Sequence, residues 1–304
     1  MNGGLPMRRL GDLEVTVAGL GCNNFGRRVG LEGTRAVIDA ALEAGINFLD
    51  TADIYGDGRS EALIGEVLSD GRRERVVLAT KFGMDRSGEL PGTPGSAAYV
   101  RAACDRSLGR LRTSVIDLLQ YHKPNPDVAI EETLGTMQEL VREGKVRALG
   151  VSNFSAAQLE EACRVAPVAS LQNEYSLLRR EIERDVIPEC EALGVGVLPY
   201  FPLASGLLSG KYRRGEEAPE GTRLAGRGQL GSDVEWDAIE ALEGFATARG
   251  LELIDVAIGA LAAQPAVASV IAGATKPGQV RRNAAAARWQ PTAEDLEDLD
   301  RILP

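Results

Sequence analysis

The feature that most limits how this chain can fold is a repeated unit of three parts: a short apolar strand, a polar or glycine-containing turn, and an amphipathic helix. We count eight such units, whose strands begin about 20–40 residues apart, the spacing of repeated β/α units. A longer gap of about 70 residues before the last strand holds a loop rich in glycine and arginine, residues 201–233, and an extra helix. Eight units in one chain predict an α/β protein with a (β/α)8 TIM barrel.

The apolar periodicity also predicts where the elements lie. Strands are predicted at Val17–Gly21, Asn47–Asp50, Val76–Thr80, Ile116–Gln120, Val146–Val151, Ala169–Gln172, Val195–Pro199 and Ala268–Ile271. Helices are predicted at roughly 33–44, 60–69, 96–112, 129–143, 156–165, 181–192, 234–249, 253–263, 277–287 and 292–302. Ser155 is predicted to cap the start of the fifth helix, and Gly144 to close the fourth.

Two further features bear on the fold class. Residues 7–17 show a Gly-Asp turn between short alternating segments, which predicts an N-terminal β-hairpin before the barrel. The rival fold is a doubly wound sheet, whose phosphate-binding fingerprint is G-x-G-x-x-G. Gly19, Gly21 and Gly26 mimic that fingerprint, but the third glycine comes two positions late and the predicted helix begins well beyond it. The barrel is preferred, as one domain over residues 1–304.

Composition and charge argue against several classes of partner. The net charge of −10 and the pI near 4.9 disfavour nucleic acid and anionic membranes. No segment has the ~20 apolar residues of a membrane-spanning helix, and the first residues contain no apolar run like that of a signal peptide. We therefore expect a soluble, cytoplasmic protein that binds neither nucleic acid nor membrane.

Cysteine and histidine usage limits the possible metal and redox sites. Cys22, Cys104, Cys163 and Cys190 form no CxxC pair, and in a reducing compartment we expect four free thiols. His122 is the only histidine, which excludes zinc sites built on two or more histidines. We predict that no metal takes part in the function.

Titratable side chains stand just past the ends of three consecutive predicted strands. Asp50 and Tyr55 stand at the exit of the second strand, Lys81 follows the third and His122 follows the fourth. Each alone has an ordinary reading: Asp50 could bond local backbone amides, and His122 could be a satisfied core residue. In a barrel, however, the carboxyl ends of the strands meet at one mouth, so the four together predict an active site.

The four side chains make chemical sense as a group. A free tyrosine has a pKa of about 10, and we expect the Lys81 ammonium to lower the pKa of Tyr55 by favouring the phenolate. Asp50 would keep that ammonium charged and oriented, and His122 would polarise a carbonyl oxygen. Together the four side chains would provide a general acid suited to hydride addition to a carbonyl, with the hydride supplied by a cofactor.

The local motifs around these residues, FLDTADIYG, LATKFG and DLLQYHKP, resemble those of aldo-keto reductases. The resemblance runs from about residue 8 to 290 and is strongest to the bacterial branch that also resembles potassium-channel β subunits. It implies a (β/α)8 barrel with an N-terminal hairpin, and a catalytic tetrad of Asp50, Tyr55, Lys81 and His122.

The resemblance also implies which residues hold a nicotinamide cofactor. In the motif GVSNF, Ser152 and Asn153 match residues that hold the nicotinamide amide. Gln172 matches a glutamine at the same amide, and Tyr200 matches an aromatic residue that stacks on the nicotinamide ring. The remaining implied positions are Cys22 and Asn23 near the nicotinamide ribose, Leu203, Ser205 and Lys211 in the loop over the pyrophosphate, and Gly273, Gln279 and Asn283 toward the adenosine. Cys22 is expected to line the site without reacting.

The last unit carries a physical argument for the phosphorylated cofactor. Pro277 suits the first position of a helix, and the amides of Gly278 and Gln279 would then form an anion site. Thr275 and Lys276 stand beside that site. A phosphate on the adenosine ribose fits there, which favours NADP(H) over NAD(H). An ordinary capped helix is the alternative reading.

The leading hypothesis is an NADP-dependent oxidoreductase that reduces aldehydes, ketones or sugar-like carbonyls to alcohols, or catalyses the reverse, with Tyr55 as proton donor. The alternative is a cofactor-binding redox sensor or regulatory subunit with little turnover. A metal-dependent barrel hydrolase is disfavoured because clustered ligands are absent. The partner is a small carbonyl or alcohol, selected by loops at residues 23–30, 84–97, 123–126 and 212–232. Neither the identity of the substrate nor the oligomeric state follows from the sequence.

Overall fold

The computed structural model describes residues 4–84, 87–226 and 234–303. A two-stranded antiparallel sheet and an eight-stranded parallel sheet lie within these ranges. The strands are β1 (Met7–Leu10), β2 (Leu13–Thr16), β3 (Ala18–Gly21), β4 (Phe48–Asp50), β5 (Val77–Phe82), β6 (Ile116–Tyr121), β7 (Val146–Ser152), β8 (Val168–Gln172), β9 (Gly196–Val197) and β10 (Val270–Gly273). Strands β3 to β9 pair in chain order, and β10 pairs with β3. The predicted TIM barrel with an N-terminal hairpin is confirmed.

Hydrogen bonds between the first and last edges of the sheet close the barrel. Val197 forms a parallel bridge with Val267, and its amide donates to the carbonyl oxygen of Ala266 at 2.7 Å. Strand β9 is shorter than predicted because Pro199 has no N–H to continue the ladder. Strand β10 begins two residues later than predicted, since Ala268 is used in the closure, donating to Val197 at 2.9 Å.

The N-terminal hairpin plugs the amino-terminal end of the barrel. Leu10, Leu13 and Val15 are buried among side chains that point into the barrel interior, including Phe48 and Leu118. Burial of apolar surface at about 25 cal/mol per Å² makes this inner cluster a source of stability. It also closes one end of the barrel, so a ligand has access only to the carboxyl ends of the strands.

Helices form the outer layer: most pack their apolar stripes on the outer face of the sheet, while those at Trp236–Ala248 and Ala293–Ile302 belong to a second apolar cluster that also includes the helix Leu253–Ala263. They are α1 (Leu31–Glu43), α2 (Arg59–Leu68), α3 (Ala97–Leu111), α4 (Ile130–Arg142), α5 (Ala156–Val165), α6 (Val186–Leu193), α7 (Trp236–Ala248), α8 (Leu253–Ala263), α9 (Pro277–Ala286) and α10 (Ala293–Ile302). As predicted, Ser155 caps α5 by accepting from the amide of Gln158, and Gly144 follows α4 at a positive φ of 75°.

Two other properties concern the same described residues. None of their helices combines the length and the apolar character needed to cross a membrane. Cys22, Cys104, Cys163 and Cys190 are all free, as predicted, and the first, second and fourth are buried.

Candidate active site

Three neighbouring strands bring the predicted catalytic side chains to one mouth of the barrel. Asp50 is the last residue of β4, Lys81 is the penultimate residue of β5, and His122 directly follows β6. Tyr55 lies in the turn after β4, which stays attached to the next strand because the Asp53 amide donates to the carbonyl oxygen of Lys81 at 3.0 Å. The strand register therefore places the four side chains within reach of one another.

Lys81 is the centre of this group, and its side chain is fully buried. Its ammonium lies 2.6 Å from Oδ2 of Asp50 and 3.3 Å from the hydroxyl of Tyr55. A third hydrogen bond, of 3.0 Å, goes to the carbonyl oxygen of Thr51 and completes the donor capacity of the ammonium. Burial alone would lower the pKa of Lys81, but the charges and hydrogen bonds of Asp50 and Tyr55 outweigh it, so the pKa is raised.

The pKa of Tyr55 departs from the sequence-based expectation. Burial raises it above the ordinary value of 10.0, and the neighbouring Lys81 ammonium opposes that rise without reversing it. The expectation that Lys81 lowers the pKa of Tyr55 was therefore wrong in net direction. The free energy that the phenolate loses with its hydration exceeds the stabilisation that it gains from the Lys81 ammonium. Tyr55 is a protonated acid at neutral pH, with its hydroxyl held at Lys81.

His122 is a neutral imidazole beside the phenol. The two rings meet edge to face, with 6.1 Å between their centroids. Burial, reinforced by the charge of Lys81, lowers the pKa of His122 to about 3. Its Nδ1 is buried and has no hydrogen-bond partner within the described part of the chain. A neutral imidazole can donate one hydrogen bond without carrying charge, which suits it to polarise a carbonyl oxygen.

A cavity of about 870 Å³ opens above these residues, at the carboxyl ends of the strands. That volume lies within the usual ~300–1,000 Å³ of ligand-binding pockets. Three members of the predicted tetrad line it, while Lys81 lies behind Asp50 and Tyr55. All the predicted cofactor residues also line it: Cys22, Asn23, Ser152, Asn153, Gln172, Tyr200, Leu203, Ser205, Lys211, Gly273, Thr275, Lys276, Gln279 and Asn283.

The chain matches the family model of the aldo/keto reductase family over residues 18–304. It belongs to the aldo/keto reductase family. Its fold and sequence are similar to those of aldo-keto reductase AKR11C1 from Bacillus halodurans in its holo form, with 32% identity, a TM-score of 0.83, and coverage of 99% of this chain and 97% of that one. They are also similar to the glycerol dehydrogenase AKR11B4 from Gluconobacter oxydans, with 32% identity, a TM-score of 0.85, and coverage of 98% and 94%.

Membership of the aldo/keto reductase family, together with the site geometry, makes this protein an oxidoreductase of carbonyl substrates. The bacterial branch expected from the sequence agrees with these two structural neighbours. Enzymes of this kind need a hydride donor, because side chains cannot supply a hydride. The lining of the cavity has the features that a dinucleotide requires: an aromatic ring, amide and hydroxyl groups, and cations at the far end.

One end of the cavity is built around Asn153 of this aldo/keto reductase. Asn153 has a positive φ of 61°, a strained conformation that its neighbours hold in place. Its backbone amide donates to the carbonyl oxygen of Gln172 at 3.0 Å and to Oδ1 of Asn173 at 2.8 Å. Its side-chain amide donates to the carbonyl oxygen of His122 at 2.9 Å, and its Oδ1 accepts from Tyr200 at 2.9 Å. These hydrogen bonds hold the Asn153 side chain in one orientation at this end of the cavity.

The other end of the cavity is the start of α9. The helix begins at Pro277, as predicted. Of the two amides expected to be free, that of Gln279 donates to the carbonyl oxygen of Lys276 at 3.1 Å. Oε1 of Gln279 accepts from the amides of Thr275 and Lys276, at 2.7 and 3.2 Å. Fewer backbone donors therefore remain at this helix start than the sequence indicated.

Cys22 lies at the base of the cavity and is fully buried. Burial, reinforced by the charge of Asp50, raises the pKa of its thiol well above the usual range. Since the thiolate is the reactive form, this thiol is poorly suited to nucleophilic chemistry. The geometry agrees with the expectation that Cys22 lines the site without reacting.

The main functional residue that the sequence analysis missed is Gln120. It is fully buried in β6 and donates from Nε2 to Oδ1 of Asp50 at 3.0 Å. The available signal was a polar amide inside the largely apolar strand sequence IDLLQY of residues 116–121, two positions before His122. Strand alternation places residues two apart on the same face, so Gln120 shares the interior face of the barrel with His122.

Proposed function

We propose that this protein is an NADP-dependent carbonyl reductase in which Tyr55 donates the proton. The observation that carries the proposal is the hydrogen-bonded chain from Tyr55 through Lys81 to Asp50, next to a neutral His122, at the floor of a cavity large enough for a dinucleotide. Burial raises the pKa of Tyr55, Asp50 raises that of Lys81, and burial lowers that of His122, so the three are a neutral phenol, an ammonium and a neutral imidazole at neutral pH, the states that the proposed carbonyl reduction needs.

The proposed roles follow from these contacts. When bound, NADPH supplies the hydride. Tyr55 donates its proton to the carbonyl oxygen, where negative charge develops, and Lys81 stabilises the phenolate that remains. His122 donates a hydrogen bond to the same oxygen and so orients it. Asp50 compensates the charge of Lys81, because an unpaired ammonium at full burial would be costly.

The proposed cofactor contacts divide between the two ends of the cavity. Asn153, Ser152 and Gln172 would hold the nicotinamide amide, with Tyr200 against the ring. Lys276 would bind the phosphate on the adenosine ribose, which selects NADP(H) over NAD(H). The remaining predicted cofactor residues lie along the cavity between these ends.

The substrate end of the cavity combines apolar and basic groups. Ile54 and Met84 line it, and the exposed Lys123 follows His122 at its rim. Met84 is one of the large apolar side chains that are exposed, at 39%. Ile54 and Met84 offer contact area for the carbon skeleton of a substrate. Because one similar protein is a glycerol dehydrogenase, small hydroxylated carbonyls belong among the first candidates.

The test is an absorbance assay of cofactor oxidation over a panel of aldehydes, ketones and open-chain sugars, run with NADPH and with NADH. The panel includes glyceraldehyde and dihydroxyacetone. Multiple turnovers with at least one carbonyl, faster with NADPH than with NADH at low cofactor concentration, are expected. Tight NADPH binding without turnover across the panel would instead support the redox sensor or regulatory subunit.

One-domain organisation and cytoplasmic location stay predictions of the sequence.

A further inference from the structure

The buried amide of Gln120 connects the tetrad to the corner of the cavity where Gln172 lies. Nε2 of Gln120 donates to Oδ1 of Asp50 at 3.0 Å, while Oδ2 of the same carboxylate accepts from Lys81. Nε2 of Gln172 donates to Oδ1 of Asp50 at 3.0 Å and to Oε1 of Gln120 at 3.1 Å. The two glutamines and the carboxylate therefore form a closed ring of three hydrogen bonds.

The chemistry of this ring determines the orientation of both amides. A carboxylate only accepts hydrogen bonds, so both glutamines must present their NH2 groups to Asp50. With its nitrogen at Asp50, Gln120 can offer only its oxygen to Gln172. Both N–H donors of Gln172 are then used, one by Asp50 and one by Gln120. Only the oxygen of the Gln172 side chain is left to face a ligand, and Oε1 accepts no hydrogen bond from any residue in the described ranges.

The main chain makes room for Gln120. Its partner across the ladder in β7 is Gly150. A Cβ at that position would lie 2.9 Å from Cγ of Gln120 and 2.3 Å from Oγ of Ser170, both closer than real Cβ contacts. The absence of a side chain at residue 150 lets Gln120 extend across the barrel interior toward Gln172.

We propose that Gln120 is a positioning residue that relays the fixed polarity of Asp50 to Gln172, and so makes Gln172 an acceptor for the carboxamide N–H of the nicotinamide. The inference rests on the proposed function, since it concerns recognition of that cofactor. Gln120 itself is buried and does not line the cavity, so its effect passes through Gln172. Without Gln120, the amide of Gln172 is held by Asp50 alone and can pivot about that one hydrogen bond, which allows its second N–H, a donor, to face the cavity.

The test measures cofactor affinity by isothermal titration calorimetry, with NADP⁺ and with its 3-acetylpyridine analogue. The analogue keeps the carbonyl of the carboxamide but has a methyl group in place of the NH2, so it cannot donate to Gln172. The wild type should bind NADP⁺ roughly three- to tenfold more tightly than the analogue, the effect of one neutral hydrogen bond. Gln120→Met, which keeps the length of the side chain, should reduce this preference to within about twofold.

A matched control is Gln138→Met on α4, a glutamine that neither contacts Asp50 nor lines the cavity, and it should keep the wild-type preference. If Gln120→Met does not fold, Gln120→Asn carries the same expectation, because its amide is too short to reach Gln172. Equal weakening of both ligands by the Gln120 substitution, or a wild type that does not discriminate between them, would overturn the relay. Failure of the wild type to bind NADP⁺ at all would overturn the proposed function itself.

Discussion

At the scale of single residues, burial pushes two neighbouring groups of the site toward their neutral forms. The pKa of Tyr55 is raised and that of His122 is lowered to about 3, in both cases mainly because the charged form loses hydration. Lys81 is the exception, since Asp50 at 2.6 Å more than offsets its burial. The site thus holds one fixed ion pair and two uncharged hydrogen-bonding groups.

These pKa shifts predict the pH dependence of carbonyl reduction. Because His122 is neutral above a pKa of about 3, kcat/KM should show no step near its ordinary value of 6.5. Because Tyr55 stays protonated up to a pKa above 10.0, the rate of reduction should fall only at alkaline pH, as the phenol ionises. Steady-state rates from pH 5 to 11, with circular dichroism at each pH to check that the protein is folded, would test this. A limb with an apparent pKa between about 6 and 7 would contradict the neutral-imidazole account.

At this scale, the sequence predicted which residues form the site, but it did not predict effects that depend on neighbours distant in the chain. Asp50, Tyr55, Lys81 and His122 were predictable because strand ends converge in a barrel. The direction of the Tyr55 shift was not, because it depends on how much water the fold removes from the phenol. Gln120 was missed because its role exists only through contacts with Asp50 and Gln172, which are far from it in the chain.

At the scale of elements, the predicted strands and helices lie within a few residues of the observed ones. Apolar periodicity is enough for this, since each β/α unit must bury one face of its strand and one stripe of its helix. Details at element ends needed the structure. The shortening of β9 follows from Pro199, and the capping of α9 by its own Gln279 is a side-chain geometry that no pattern of residue types specifies.

The start of α9 carries the prediction about cofactor choice. Lys276→Ala should weaken NADPH binding by about ten- to a hundredfold, the value of a charge-assisted hydrogen bond of roughly 1.5–3 kcal/mol. NADH, which lacks the phosphate, should bind almost unchanged. Isothermal titration calorimetry is the suitable method, because neither Trp236 nor Trp289 lines the cavity to report on binding by fluorescence. Lys145→Ala, a substitution of a surface lysine paired with Asp105, is the control and should change neither affinity. If Lys276→Ala weakened the binding of NADPH and NADH equally, the assignment of the ribose phosphate to the start of α9 would be wrong.

Strand β7 carries a prediction about stability. Gly150→Ala should lower the free energy of unfolding by about 1–3 kcal/mol, because the new methyl group collides with Gln120 and Ser170 in a packed interior. Gly135→Ala in α4 is the matched comparison, since a methyl group there meets no atom within 4 Å and a helix favours alanine over glycine by up to about 1 kcal/mol. Denaturant unfolding of the two variants should give shifts of opposite sign. A Gly150→Ala variant with an unchanged free energy of unfolding would contradict this account, because it would show that Gln120 can move away from the added methyl group.

At the scale of the whole molecule, the barrel joins sites that are far apart in the chain. The hairpin closes one end, and the carboxyl ends of the strands open into one cavity that extends from Asp50 to the start of α9. The count of β/α units predicts this convergence, but the volume of the cavity and the hydrogen bonds across it depend on packing. Among the described residues no cluster of His, Cys, Asp and Glu is arranged to hold a metal ion.

Independence from metals is a prediction for the whole protein. Dialysis against a strong chelator should leave NADPH-dependent carbonyl reduction unchanged, because in the proposed mechanism Tyr55 and His122 supply the acid and the hydrogen bond at the carbonyl oxygen. The activity before and after dialysis, in metal-free buffer, is the measurement. Activity that is lost on dialysis and restored by a divalent cation would contradict the account.

The measurement that bears most directly on the central claim compares Tyr55→Phe with the wild type, for both NADPH affinity and kcat with the best carbonyl of the panel. Loss of the general acid should lower kcat by at least ~10²-fold while NADPH binds with nearly unchanged affinity. Tyr175→Phe is the matched control, since its hydroxyl donates to Glu183 outside the cavity, and it should keep the wild-type kcat. A folded Tyr55→Phe protein that binds NADPH and turns over at a near-normal rate would contradict the assignment of Tyr55 as the proton donor.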